Sequence, residues 1–565
     1  MTIERWNPEE SMSRQEQFIL RRLKRNGKLY AFLRLQRHRL FDEAFQAELE
    51  GMYRDTDAGK DANAPALMAM VLLLQAYAGA SDATAIELSL LDLRWQMVLG
   101  CLGATEPLFS QGAPLCANVT ETAPRVEITV ELARETKAFD PKKLPKALRV
   151  AMDSSPLEGA GRSEDTINLL AHAGRKIVAC AANLLGWTEE RVGVEAGAPL
   201  LLESSVKKGL DLNWSDPDEK AEAIPMLLEQ LTNLEQWVAE RLPEELHRPP
   251  LREHVATLHQ IIEQDLEPDP NDPGGAPSRI RQGVAEDRRV SIEDKEMRHG
   301  RKTKSKRFNG YKRHLAIDLD TVLVLAVAVL PANRPEQDAA PSLVEDIAAQ
   351  GRTIDALYID RGYINAPIVD EIRARRGLVV CRPWIARNGE HFSKSAFTIN
   401  MRDRTITCPA GEQQRFELGS AVEFPATTCH ACPLRAKCTD AAPGRGRKVE
   451  TAANEPLQHQ LRKRAATPAG RRQLRERVPV EHRQAHTCRR QGRRARYLGA
   501  RKNQFDLRRA SAIANCGCQS PTSPEWRTTR GGVRCKASRG VRRAGRVRVG
   551  AAGRDRSVSA RDRAT

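Results

Sequence analysis

The sequence predicts an α/β protein: one mixed β-sheet carrying helices, preceded by a helical region and interrupted by insertions. Three observations carry this reading. Two short apolar runs, Lys146–Met152 and Ala356–Ile359, each stop on an aspartate, Asp153 and Asp360, as buried strands do when they open into a polar turn. Between them Leu315, Ile317 and Leu319 alternate with Ala316, Asp318 and Asp320, and the β-branched run Val322–Leu330 follows a turn at Asp320-Thr321. That is the pattern of a β-hairpin. Segments of helical period, Glu336–Gln350 and Ala366–Arg375, separate the later strands, and Leu378–Cys381 supplies a last short one.

Taken in order, residues 1–140 read as a helical domain. Ser13 with Glu16 three places on forms a capping box that opens an amphipathic segment through Leu23, Leu33 and Leu35. Ala64–Ala78 is apolar nearly all round, so it predicts a buried helix. Ser81-Asp82 caps the next helix, which carries Leu88, Leu91, Leu93, Trp95 and Val98 to a stop at Gly100. A compact helical domain accounts for all of this, and a helix-turn-helix DNA reader is its functional version. Residues 112–126 lack helical periodicity and read as a loop.

Residues 145–186 begin the sheet, with a strand to Asp153, a turn at Ser154-Ser155-Pro156 and a helix over 163–186. The span 187–293 is charged and helical, with Ile224–Leu242 at helical spacing. Breaks at Asp216-Pro217, Pro249-Pro250 and Pro268–Pro277 make it an inserted helical subdomain with a flexible exit. Residues 294–400 continue the sheet, 401–450 are Cys-rich, 451–514 form a third part of the core, and 515–565 read as a disordered basic tail.

The 565 residues are 41% hydrophobic, enough for several cores, and no run of 18 apolar residues predicts a membrane span. The opening Met1–Trp6 lacks the apolar region of a secretory signal, and twelve cysteines, scattered apart from one cluster, suit a reducing cytoplasm. A net charge of +17 points to a polyanionic partner. Much of it sits in the tail, where 12 Arg and one Lys face only Glu525, Asp555 and Asp562.

The order of elements is strand with Asp, insertion, hairpin, helix, strand with Asp, helix, strand. This is a ribonuclease-H-like plan, in which the ends of the first and fourth strands lie side by side and Asp153 can meet Asp360. Two carboxylates a few ångströms apart repel unless a cation sits between them, and hard oxygen ligands suit Mg²⁺ or Mn²⁺. A third carboxylate from downstream would complete a two-metal site for phosphodiester cleavage. Glu481 follows Arg477 by one helical turn, an arrangement ready to hold a phosphate; taken alone, the pair is better explained by a surface salt bridge. The block Met297–His314 carries eight Lys/Arg, namely Arg298, Arg301, Lys302, Lys304, Lys306, Arg307, Lys312 and Arg313. Interleaved Phe308 and Tyr311 favour a surface that tracks phosphates over a merely solvated face. Cys408, Cys429, Cys432 and Cys438 have the spacing of a tetrahedral structural Zn²⁺ site, with loosely placed thiols as the alternative. His482 and His486 lie one turn apart on a helical face, as a ligand pair or as DNA-side or packing residues.

Four stretches together resemble a bacterial insertion-sequence transposase of the DDE class. They are Asp153–Arg162, which opens Asp-Ser-Ser-Pro and closes Gly-Ala-Gly-Arg, HGRKTKSKRFNGYKRHLAIDLDT at His299–Thr321, IDRGYINAP at Ile359–Pro367, and the RERVPVEHR block. The resemblance covers residues 1–112 and 127–514. It implies a ribonuclease-H-like catalytic domain that cuts double-stranded DNA and transfers the strand at terminal inverted repeats. It also implies a homodimer on paired ends and a cytoplasmic, nucleoid-associated setting. Carried over residue by residue, Asp153, Asp360 and Glu481 match the metal-binding triad for two Mg²⁺ or Mn²⁺ ions. Arg477 matches the arginine four before the glutamate, and Gly310-Tyr311-Lys312 matches the hairpin entry. Pro479 falls two residues before Glu481 and should kink that helix. Leu474 stands where relatives with a tyrosine-arginine-glutamate signature have Tyr, and Val322 occupies a turn position that favours positive φ. Residues 113–126 and those beyond Ala514 fall outside the resemblance and read like translation in a shifted frame. A DNA-binding remnant without catalysis is therefore the alternative function, and a stand-alone nuclease a third.

Overall fold

The computed structural model describes residues 5–23, 28–50, 63–78, 80–109, 146–270, 275, 277–302, 305–476, 484, 487–488, 493–495, 498–518, 527–529 and 532–534. Its centre is a six-stranded mixed sheet: β1 (Ala147–Glu158), β2 (Arg298–Arg301), β3 (Arg307–Asp318), β4 (Val324–Pro331), β5 (Thr353–Tyr358) and β6 (Leu378–Val380). β3 is antiparallel to β1 on one edge. On its other edge it takes β4 along Tyr311–Ile317 and β2 along Arg307–Gly310. β5 runs parallel to β1, and β6 parallel to β5. The spatial order β4-β3-β1-β5-β6 is the ribonuclease-H-like plan expected from the order of elements.

Strand alternation sets the core. Leu148, Val150 and Met152 of β1 share a face with Ala316, Leu357 and Ile359, and all are buried under helices 340–349, 367–374 and 455–466 through Leu343, Ile347, Ile368, Ile372, Leu457 and Leu461. Separate cores serve the helical insertion, the N-terminal helices and the small Cys-rich sheets. The helix Thr166–Leu185, capped by Asp165 through the Asn168 N–H at 3.1 Å, packs within the insertion's core. Residues 523–565 form a second unit, in which Arg527–Thr529 pairs with Gly532–Arg534. No helix among the described residues is long and apolar enough to cross a membrane.

Several expectations change. β1 does not end at Asp153: Ser154, Ser155 and Pro156 stay in the strand, paired with His314, Arg313 and Lys312. Proline is tolerated there because of where its missing N–H would point. Glu158, two residues on, sends its N–H away from β3 to the Arg493 carbonyl at 3.0 Å, so the Pro156 nitrogen faces that side too, beyond the end of β5. The N-terminal segment from Ser13 is broken into Arg14–Arg22 and Lys28–Leu40, although the Ser13–Glu16 capping box forms. The helix after Ser81 stops at Leu91 and restarts at Leu93. Asp92 is extended there and caps the restart by accepting the Arg94 N–H at 2.8 Å, which leaves Leu91 and Leu93 exposed.

A further helix, Ala500–Cys518, has no counterpart in the sequence expectations. It packs on β4 and on the buried helix Pro65–Ala78. Its Asn515 accepts the Val324 N–H at 2.9 Å and donates to the Val324 carbonyl at 2.8 Å. Val322 does adopt φ +58, costing roughly 1–3 kcal/mol. Full burial of its side chain, and the bonds from Thr321 N–H and the Thr321 hydroxyl to Asp318 at 2.7 and 2.5 Å, hold the turn.

Candidate active site

The parallel register pairs Val150 with Leu357 and Ala151 with Tyr358. Two residues beyond that last pair come Asp153, still within β1, and Asp360, just past the end of β5. Alternation places both on the face opposite Met152 and Ile359. The Asp153 side chain accepts the Ser154 N–H at 2.8 Å, and Asp360 caps the turn Arg361–Tyr363 by accepting the Gly362 N–H at 3.0 Å. Both are half-buried.

The rows just behind them are tied by Arg149. Its guanidinium donates to Asp320 at 3.0 Å, to the Tyr358 hydroxyl at 3.0 Å and to Glu476, and the Tyr358 hydroxyl donates to Glu476 at 2.9 Å. Burial opposes the charge of Arg149, but Tyr358, Asp320 and Glu476 outweigh it and hold the group above its ordinary range. This network docks the end of helix Pro468–Arg475 on the sheet face that carries the two aspartates. The next residues, including Arg477, Pro479, Glu481, His482 and His486, lie outside the described residues.

A second carboxylate flanks Asp360. Glu336 accepts a hydrogen bond from the Ser154 hydroxyl. Burial first, and then the negative charge of Asp360, push the Glu336 carboxyl above its usual range, against the pull of Ser154, Lys302 and Lys312. Sequence reasoning missed this residue. The only signal it offers is its position, just after β4 and at the start of a helical turn. Lys302 donates to the Ser154 carbonyl at 3.2 Å, and Lys312 to the Arg334 carbonyl at 2.7 Å.

The basic block divides. Arg301, Lys302, Lys306 and Arg307 are exposed at the β2–β3 end, where Arg301 and Arg307 face each other across the ladder; Lys304 lies outside the described residues. Arg313 is placed differently from its expected DNA-contacting role. It is 4% exposed and donates to the Ser155 hydroxyl, the Pro156 carbonyl and the Cys488 carbonyl at 3.2, 2.9 and 3.2 Å, stitching β1 to the chain that covers it. Phe308 and Tyr311 are also buried, the Tyr311 hydroxyl on Asp294 at 2.6 Å, so neither aromatic offers a stacking surface.

Beneath the site His314 is fully buried, with Nδ1 2.6 Å from the Tyr363 hydroxyl. Burial, with Lys312 and Lys302 adding, pushes its imidazole down to about 3. It therefore folds neutral. The unfolded ring binds a proton near pH 6.5, so the stability it confers is full above that pH and is lost as pH falls toward 3. Urea melts should show the protein losing on the order of 3 kcal/mol more than His314→Phe between pH 7 and 4.5. Parallel pH profiles for the two proteins would contradict the assignment.

Cys408, Cys429, Cys432 and Cys438 line one pocket with Phe392, Phe424 and Arg447. The Arg447 N–H donates to Cys429 Sγ at 3.4 Å. Burial pushes the Cys438 thiol up; Arg447 opposes this, and the other three thiols add to it. Among the described residues, no three Cys, His, Asp or Glu side chains stand in ready metal-binding geometry, so the thiols share a pocket without a closed tetrahedron.

Residues 279–516 match the family model described as the transposase DDE domain. No curated protein and no solved structure matches the chain. The match begins downstream of Asp153 and takes in Asp360, Glu336 and Glu481. The match spans less than half of the chain, and with the fold it supports a DDE-class transposase; transposases of that class break and rejoin DNA phosphodiesters and generally use divalent metal ions.

Proposed function

We propose that the protein cleaves and transfers DNA strands at the terminal inverted repeats of an insertion sequence, using Asp153, Asp360 and Glu481. The observation that carries this reading is the parallel pairing of β1 with β5, which puts Asp153 of β1 and Asp360, just past β5, on neighbouring segments. Their chemistry suits the hard cations the family uses: both are oxygen donors from neighbouring segments, half-buried, each steadied by a backbone N–H. A divalent ion bound there supplies charge neutralisation at the phosphate and an activated water. Asp153 and Asp360 hold the cation, and the turn capped by Asp360 fixes its carboxylate. Arg301, Lys302, Lys306 and Arg307 line the β2–β3 end as a track for phosphates. Arg477 and Glu481 join them by resemblance, Glu481 as third carboxylate, and the helices of residues 1–109 supply a further DNA-binding domain. A homodimer on paired ends, acting in the bacterial cytoplasm at the nucleoid, is the working assembly.

The test is strand transfer from a pre-cut oligonucleotide carrying the element's end into plasmid DNA with Mg²⁺. Joined product supports the reading. Tight end binding with neither cleavage nor joining would favour a DNA-holding remnant, and cleavage without joining a stand-alone nuclease.

For the Cys-rich segment we propose structural zinc on Cys408, Cys429, Cys432 and Cys438, because all four thiols already open on one pocket. Elemental analysis of protein purified without chelator should give about one zinc per chain, and Cys432→Ser should lose most of it and lower Tm. Metal-free protein whose Tm a chelator leaves unchanged would sink the zinc assignment.

A further inference from the structure

Lys302, on the β2–β3 hairpin, is tied to β1 beside the first aspartate. Its Nζ donates to the carbonyl of Ser154, the residue after Asp153, at 3.2 Å, and its backbone N–H closes the hairpin on the Lys306 carbonyl at 2.9 Å. An ammonium carries three N–H groups, and that carbonyl is the one acceptor this ammonium has among the described residues. Lys302 is exposed, so the remaining donors are open to a ligand. Lys312 nearby differs: it is half-buried, and its Nζ is taken up by the Arg334 carbonyl at 2.7 Å.

Glu336 completes the arrangement. Ser154, itself buried, donates its hydroxyl to Glu336 and offers its carbonyl to Lys302, so one residue of β1 joins two side chains of opposite charge. Glu336 attracts Lys302 and Lys312 and is repelled by Asp360. It is also wedged against the turn that Asp360 caps, since a Cβ added at Gly362 would stand 2.1 Å from Glu336 Oε2. A lysine on its flexible stem ordinarily sweeps a wide volume. Here a carbonyl and a fixed negative charge confine it to the sheet end that carries the aspartates.

We infer that Lys302 is a further catalytic residue, whose ammonium donates to a non-bridging oxygen of the phosphate being cut, and that Glu336, acting through Ser154, is the residue that positions it. This rests on the reading of Asp153 and Asp360 as the cutting site, and it separates Lys302 from the cations that only track the DNA backbone. A cation fixed beforehand stabilises the charge that shifts at the phosphate without having to reorganise during the step. Lys302 forms no covalent bond and gives up no proton.

The experiment is single-turnover cleavage of DNA carrying the element's end by the full chain, with Mg²⁺ and saturating protein, so that affinity drops out of the rate. The unaltered protein is compared with Lys302→Gln, Lys302→Arg, Glu336→Gln, the Lys302→Gln/Glu336→Gln double variant and Asp360→Asn. Lys302→Gln should cut at least about tenfold more slowly, and Lys302→Arg should recover most of the rate. Glu336→Gln removes a negative charge beside the DNA, so a purely electrostatic role predicts equal or faster cutting. A positioning role predicts a loss that vanishes in the Lys302→Gln background, and losses that multiply in the double variant overturn it. If Lys302→Gln cuts at the unaltered rate while Asp360→Asn does not, the inference fails and the aspartate site stands. If Asp360→Asn also cuts normally, or the unaltered protein makes no break, both fail. Should Glu336→Gln not fold, Ser154→Ala, which removes the hydroxyl that Glu336 accepts, takes its place with the same expectation.

Discussion

Asp360→Asn is expected to lower metal-dependent DNA cleavage by a factor on the order of 10³ or more, about 4 kcal/mol of transition-state stabilisation. The substitution is chosen because it removes charge and little else. The asparagine Oδ1 can still accept the Gly362 N–H, so the turn at Arg361–Tyr363 and the buried Tyr363 beneath it stay in place. The exposed Arg301, Lys302, Lys306 and Arg307 are untouched, so gel-shift affinity for the element's ends should be unchanged at fixed salt. Loss of cleavage at equal binding is the expected pair of results. Undiminished cleavage by Asp360→Asn would remove the residue from the chemistry, whatever the fold.

Gly310→Ala should destabilise the protein by about 3 kcal/mol or more, enough to deplete soluble material. Gly310 has φ +150, and an added Cβ would lie 2.3 Å from the Leu157 carbonyl oxygen and 2.4 Å from the Gly159 nitrogen. Both obstacles are backbone, so relief means separating β3 from β1 where Leu157 and Glu158 pair with Tyr311 and Gly310. The matched control is Gly351→Ala. There φ is +67 but nothing stands within 4 Å, so only the left-handed conformation, roughly 1–2 kcal/mol, is lost. Chemical denaturation of the two variants separates crowding from conformation, and equal losses would contradict the close approach of the strands. Because β1 also carries Asp153, partially folded Gly310→Ala protein should lose cleavage as well.

The sheet was legible because alternation and abrupt polar stops are local signals. Val324–Pro331, Thr353–Tyr358 and their order follow from runs that need no partner to be recognised. The neighbouring positions of Asp153 and Asp360 follow from the same signals, once the order of strands sets β1 beside β5. What was not legible depends on neighbours. Arg313 and Arg307 look alike in a basic run, but only Arg313 stands opposite Ser155, where the chain at Cys488 covers it. Pro156 reads as a turn until β5 is seen to stop at Tyr358. Asp92 reads as one polar residue in a helix until its bond to the Arg94 N–H shows two helices. Glu336 belongs to no motif, and its meaning lies in Ser154 and Gly362, far apart in sequence.

The central claim is that Asp153 on β1 and Asp360 just past β5 cut DNA through a divalent metal. Incubating the unaltered protein with plasmid carrying the element's inverted repeats, with Mg²⁺ or with EDTA, tests it most directly. The ends are then mapped and the DNA checked for attached protein. The account predicts breaks at the repeats only with Mg²⁺, bearing free 3′-OH groups and no covalently bound protein. Breaks that survive EDTA, or ends blocked by a protein–phosphate linkage, would contradict it.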